Sequence, residues 1–124
     1  MKKFYSCLVA LALFLFIMPV NAAERDERVI LINTFTVPVG KVEEAIGMWE
    51  KARDFLKNQP GYLSTKLHRS LSADAKYQLI NVAEWQNVET FKAATKLMRE
   101  EANLPRIKGL SISPFLYKVI RGNN

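Results

Sequence analysis

The sequence predicts an α+β fold with the element order β-α-β-β-α-β. Three observations carry that prediction. A β-branched apolar run comes first after a charged stretch. Two segments show apolar residues at three- and four-residue spacing, and between them lie two strand-like runs joined by a polar turn.

Ahead of these elements stands a segment of different character. Lys2 and Lys3 precede an apolar run from Leu8 to Val20, broken by Pro19 and ended by Val20-Asn21-Ala22. That order of basic, apolar and small residues is a secretory signal peptide over residues 1–22, cut after Ala22. The alternative is an uncleaved anchor, for which the 17 residues from Phe4 to Val20 are at the short limit of what crosses about 30 Å of hydrocarbon. Cys7 precedes the apolar run rather than ending it, which excludes a lipoprotein. The expected product is therefore exported, periplasmic or secreted, and keeps no stable membrane anchor after cleavage. It is a single domain over residues 23–124.

Within that domain Glu24 to Arg28 is a charged lead-in. Val29 to Thr36 is β-branched and apolar on both faces, a strand covered on both sides. Pro38 and Gly40 end it. From Lys41 to Asn58 the residues Val42, Ala45, Ile46, Trp49, Ala52 and Leu56 form one apolar stripe of a helix, with Trp49 read as packing. Glu43 and Glu44 in its first turn and Lys57 in its last suit the helix dipole. Pro60-Gly61 stops it.

Tyr62 to Leu71 alternates, placing Leu63, Thr65, Leu67 and Arg69 on one face and Tyr62, Ser64, Lys66 and His68 on the other. After the polar turn Ser72–Ala75, Lys76 to Trp85 reads as the return strand of a hairpin. Asn87 is the expected N-cap of a second helix running to Met98 or Ala102, with Val88, Phe91, Ala94 or Thr95, and Met98 facing inward. A loop around Pro105 follows. Phe115 to Ile120 is the expected last strand, with Pro114 at its start.

This is the ferredoxin-like split βαβ topology. Two helices cover one face of its four-stranded sheet. The other carries Ile30, Ile32, Ile80 and Val82, too apolar to stay wet, so the sequence predicts a homodimer through the open sheet face.

Composition narrows the chemistry. Of 18 Lys and Arg, Lys2 and Lys3 leave with the leader, and the remaining 16 against 12 acidic residues give the mature chain +4. The surplus is mixed with acids and has no interleaved aromatic run, so no nucleic-acid partner is expected. One histidine and a single leader cysteine exclude a Cys/His metal site and a Ser-His-Asp or Cys-His catalytic set. The glycines are isolated, so no loop cradles a phosphate.

What remains is amide in apolar strand. Asn33 shares a face with Leu31 and Phe35, and Asn81 shares one with Leu79, Ala83 and Trp85. The first and third strands are neighbours in this topology, which brings the two amides close beneath the helices. Burying an amide without partners costs about 1–3 kcal/mol. Either the pair faces a cavity and binds a ligand carbonyl or phenol, or the two bond each other or a buried water. Trp85 offers an apolar plane and a single N–H donor, or is simply core. His68 is the one residue of the mature chain whose ordinary titration falls near neutrality, and is a site residue or a surface or interface histidine. Arg99 and Arg106, near and beyond the end of the second helix, are candidates to meet an anionic substrate.

These residues resemble the antibiotic biosynthesis monooxygenase family over Val29 to about Ile120. The resemblance is carried by Gln59-Pro60-Gly61-Tyr62-Leu63-Ser64 with His68 following, and by Asn81-Val82-Ala83-Glu84-Trp85 followed by Phe91. Within the family the chain is most similar to small cofactor-free enzymes that oxidise aromatic polyketides to quinones. The resemblance implies a dimeric α+β barrel and an oxidoreductase that uses molecular oxygen without metal, flavin or haem. It implies Asn81 and Trp85 as catalytic residues; Asn33, His68, Phe91 and Arg99 are the candidates for binding a phenolic or quinol-like substrate. Leu67 and Phe91 stand where such enzymes have tyrosines, and the matching arginine is Arg99 or Arg106. Asn33 also fits the haem-degrading members, but Ala94 stands at their tryptophan position and no histidine follows His68. The other readings of the same fold are a non-catalytic exported module binding a hydrophobic ligand such as haem, and a structural dimer with a closed core. A cavity under about 300 Å³ is what the last would show.

Overall fold

The computed structural model describes residues 27–123, so the leader and its cleavage point lie outside the described residues. The chain forms β1 (Val29–Thr36), α1 (Val42–Leu56), β2 (Tyr62–Arg69), β3 (Leu79–Trp85), α2 (Val88–Glu101) and β4 (Ser111–Tyr117). The strands make one antiparallel sheet in the order β2-β3-β1-β4, the ferredoxin-like topology that the element order predicts. Among the described residues no helix is long and apolar enough to cross a membrane.

Local chemistry explains the boundaries. β1 is the predicted segment residue for residue, because a β-branched run has no competing helical periodicity. Asn87 caps α2 as expected: its side-chain oxygen accepts from the Thr90 backbone N–H at 2.8 Å, satisfying one of the free donors of the first turn. Gly61 takes φ +86°, and its Cα lies so close to Thr90 of α2 that a Cβ would collide with that side chain. The turn into β2 is thereby pinned against the start of α2, and the Gly61 carbonyl accepts from the Gln86 N–H at 2.8 Å.

Three expectations need correction. β3 begins at Leu79, not Lys76, because Gln78 is spent on the hairpin loop. Its Nε2 donates to the carbonyls of Ser72, Ala73 and Ala75 at 2.8–3.1 Å. β4 runs Ser111–Tyr117 rather than Phe115–Ile120, with Pro114 inside it opposite Asn33. Proline is tolerated there because β4 is an edge strand and needs no N–H on its outer side. Finally, a bulge between Tyr62 and Ser64 adds a residue to β2. It turns Tyr62 to the helix side with Thr65 and leaves Leu63 exposed, the reverse of strict alternation.

The helix-covered face carries two apolar clusters. Leu31, Ala83, Trp85 and Ala94 form one; Phe35, Ala45, Met48 and Leu79 form the other. The β1/β3 register pairs Leu31 with Ala83, Asn33 with Asn81, and Phe35 with Leu79. The asparagine rung thus lies between the clusters and interrupts the core. On the opposite face Ile30 and Ile32 of β1 sit beside Tyr117 and Phe115 of β4, which are 50% and 64% exposed. Ile80 and Val82 extend that apolar surface across β3.

Candidate active site

Over the asparagine rung the sheet and helices enclose an open-mouthed cavity of about 340 Å³. That exceeds the roughly 300 Å³ at which ligand sites begin and is not a closed core. Asn33 and Asn81 form part of its floor, Trp85 and Phe91 one wall, and Arg99 reaches it from the last turn of α2. Five predicted site residues therefore converge on one space. His68 does not. Its residue pairs with Ile80 on the open face, and its Nδ1 lies 3.2 Å from the Ile80 carbonyl, in a separate shallow depression with Arg69 and Tyr77. The strand's alternation sends it there, so His68 stands apart from the space that the other five share. Arg106 is not among the lining residues, which leaves Arg99 as the arginine of the pair that meets the cavity.

The amides are set asymmetrically. The Thr65 hydroxyl donates to Asn81 Oδ1 at 2.6 Å, so the acceptor end of that amide is occupied and its N–H₂ end is left over. Among the described residues Asn81 Nδ2 has no protein acceptor, yet it is not sealed from solvent. The two asparagines, although cross-strand partners, make no side-chain hydrogen bond with one another. Asn33 Oδ1 is buried without a partner, an arrangement that costs about 1–3 kcal/mol and that an ordinary core position would not retain.

Trp85 is 1% exposed and wedged between two rings, Tyr62 at 5.6 Å and Phe91 at 5.7 Å between centroids, both edge-on. Such contacts hold the indole in one orientation at the cavity wall. Four further lining residues escaped the sequence reading: Thr65 and Tyr62 on β2, and Trp49 and Arg53 on α1. Trp49 and Arg53 are four residues apart on one helix face, and the Arg53 guanidinium carbon lies 5.2 Å from the Trp49 ring centre. Arg53 Nε donates to Asp54 at 3.1 Å. That hydrogen bond, joined by the charge of Arg53 and by Lys57, holds the exposed Asp54 carboxyl below the ordinary range against an opposing desolvation effect.

Among the described residues the only charged side chains lining the cavity are Arg53 and Arg99. Among the described residues no carboxylate, lysine or histidine lines it, and no group of three His, Cys, Asp or Glu could hold a metal ion. An apolar aromatic box with an amide donor on its floor and positive charge at its edge favours the ionised form of a flat phenol or enol.

The fold and this site define an oxygenase-like α+β domain. The chain belongs to the antibiotic biosynthesis monooxygenase family, whose model matches residues 28–98. The structure is similar to a candidate monooxygenase from Shewanella loihica PV-4, with 50% identity, a TM-score of 0.72, and coverage of 77% of this chain and 97% of that one. The fold is shared with SnoaB, a cofactor-independent oxygenase from Streptomyces nogalater, at 22% identity, TM-score 0.60, and coverage of 77% and 96%. It is shared too with the haem-degrader MhuD of Mycobacterium tuberculosis, at 22% identity, TM-score 0.59, and coverage of 77% and 99%. No curated protein matches the sequence.

Proposed function

We propose that this chain is an exported, homodimeric, cofactor-independent monooxygenase that oxidises a phenolic or quinol-like aromatic with molecular oxygen. One observation carries the reading: Asn81, oriented by Thr65, offers an unpartnered N–H₂ beside Trp85 in an open apolar cavity. The description of SnoaB as a cofactor-independent oxygenase on the same fold supports it.

The chemistry asks little of the protein. A phenol or enol entering the cavity loses its proton to water at the mouth, and Asn81 Nδ2 donates to the resulting oxyanion. The anion is the reductant. It gives one electron to oxygen, and the pair combines, forming a C–O bond to a hydroperoxide. The O–O bond then breaks as the same carbon loses its remaining hydrogen as a proton. One oxygen atom stays as a new carbonyl and the other leaves as water, so the oxygen is fully accounted for. Trp85, Tyr62 and Phe91 hold the ring plane and keep water off it, which is a positioning task.

A second chain would cover Ile30, Ile32, Phe115 and Tyr117, an apolar surface that a soluble monomer rarely leaves open. Light scattering at micromolar concentration should give twice the chain mass; a monomer mass would contradict this part. Export is checked by N-terminal sequencing of protein recovered outside the cytoplasm, which should start at Ala23. Oxygen uptake with an anthrone or a reduced quinone, wild type beside Asn81→Ala, tests the site. Losing one oxyanion donor costs about 10²–10³ in kcat. A binding module would instead take up the ligand with no oxygen consumed, and uptake unchanged by the substitution would remove Asn81 from the mechanism.

A further inference from the structure

Sulfur is confined to one place in this domain. Of the four methionines and one cysteine of the sequence, Met1, Cys7 and Met18 fall within residues 1–22, so Met48 and Met98 are the only sulfur-bearing side chains that follow. Both line the cavity. Methionine commonly fills irregular gaps in a core, and Met48 does so: it is 9% exposed and clusters with Phe35, Ala45 and Leu79. Met98 is placed differently. It is half-buried and belongs to neither buried cluster. It follows Phe91 by seven residues and Thr95 by three on α2, and all three line the cavity, so one helix face presents them there.

A thioether that a small oxidant can reach is converted to a sulfoxide, which turns an apolar side chain into a polar one. Resting on the monooxygenase reading above for the source of the oxidant, we infer that Met98 is a peroxide-sensitive control point of the cavity. A hydroperoxide formed there, or hydrogen peroxide entering through the open mouth, oxidises it, and the altered wall then disfavours an apolar aromatic ligand. The step balances. The sulfur lone pair attacks the outer peroxide oxygen, an S–O bond forms and the O–O bond breaks. The inner oxygen leaves as an alkoxide and takes up the proton of the outer one, giving an alcohol, or water when the oxidant is hydrogen peroxide. Sulfur loses the electron pair that the peroxide gains. This reaction competes with productive breakdown of the substrate hydroperoxide, so each stray event weakens the next binding step. Methionine sulfoxide reductases reverse it.

The test supplies the oxidant from outside and reads binding apart from turnover. Hydrogen peroxide is the probe oxidant, and dihydroxyanthraquinone, already oxidised, is the probe ligand. Trp49 and Trp85 are the two tryptophans of the sequence and both line the cavity, so quenching of intrinsic fluorescence reports occupancy. Peptide mass spectrometry should find one added oxygen on Met98 at least about fivefold faster than on Met48 in the folded protein, and equal rates in denaturant, because susceptibility follows exposure. With Met98 oxidised, affinity for the probe should fall about tenfold, a change of about 1.4 kcal/mol. That lies within the cost of desolvating a polar group left without a partner. Reductases for both sulfoxide epimers should restore it. Met98→Leu removes the sulfur at similar volume, and peroxide should leave its affinity where it stood before treatment, whereas Met48→Leu should still lose affinity. Met48 oxidised as fast as Met98, a probe that the untreated protein fails to bind, or an affinity that survives oxidation of Met98 overturns the inference. So does a loss that the reductases do not reverse, or one that Met98→Leu also shows. Peroxide-sensitive binding without oxygen uptake from an anthrone would sink the monooxygenase reading and leave Met98 standing. Uptake undiminished with Met98 fully oxidised would do the reverse.

Discussion

Replacing Thr65 by valine removes one hydroxyl from the cavity lining and keeps the side-chain volume. In the native structure that hydroxyl donates to Asn81 Oδ1 at 2.6 Å, and Asn81 is 6% exposed. Without it a nearly buried carbonyl oxygen loses its only side-chain donor, at a cost of about 1–3 kcal/mol. For a domain of this size each kcal/mol lowers Tm by about 4–8 °C, so a fall of about 10 °C is expected. The functional effect is separate. With its acceptor end no longer held, the amide can turn its oxygen toward the cavity, and an acceptor repels the oxyanion that the N–H₂ stabilises. Well below the melting range, kcat should drop at least about tenfold, up to the 10²–10³ that complete loss of one oxyanion donor costs. Thr65→Ser keeps the hydroxyl and should recover most of both losses. Circular dichroism melts and steady-state oxygen uptake on the three proteins decide the matter. A Val variant that turns over like wild type would refute the claim that Thr65 orients Asn81. So would a Ser variant no better than the Val variant.

Three further outcomes follow from the same geometry. Gly61→Ala forces a side chain into a left-handed turn and against Thr90, so strain and overpacking together should cost about 3 kcal/mol, read as a large fall in Tm. Gly47→Ala, on a helix with nothing within 4 Å, should instead stabilise by about 0.5–1 kcal/mol, and equal effects at both sites would undermine the packing argument. His68→Ala should leave oxygen uptake within about twofold, because His68 lies outside the cavity; a hundredfold loss would mean the chemistry is on the other face. No acid or histidine lines the cavity, so the pH profile of kcat/KM should rise with ionisation of the substrate phenol and move when the phenol pKa is changed. A profile fixed in position across phenols of different acidity would point to an enzyme base instead.

The topology and the asparagine rung were legible in sequence for physical reasons. β1 is a continuous β-branched run, and β1–β3 adjacency is a property of the topology, so Asn33 and Asn81 meet once the element order is known. The Asn87 cap has a one-residue signature that the hydrogen bond to Thr90 matches. The errors came where periodicity is interrupted. A bulge leaves no mark in residue type, so strict alternation puts Tyr62 and Leu63 on each other's faces. Pro114 reads as a boundary until β4 is known to be an edge strand. Thr65 is an unremarkable strand residue until its hydroxyl is seen on Asn81, and Trp49 and Arg53 look like a stripe residue and a solvated charge. The i, i+4 spacing of an arginine after a stripe tryptophan was the one signal available for that pair.

The central claim is that the chain itself moves one atom of molecular oxygen into an aromatic substrate. The most direct test is a single-turnover reaction under ¹⁸O₂ with an anthrone, using protein dialysed against chelator. One ¹⁸O is expected in the new quinone carbonyl, the second in water, and the labelled product should be lost with Asn81→Ala. Unlabelled carbonyl, or hydrogen peroxide released in place of water, would contradict it.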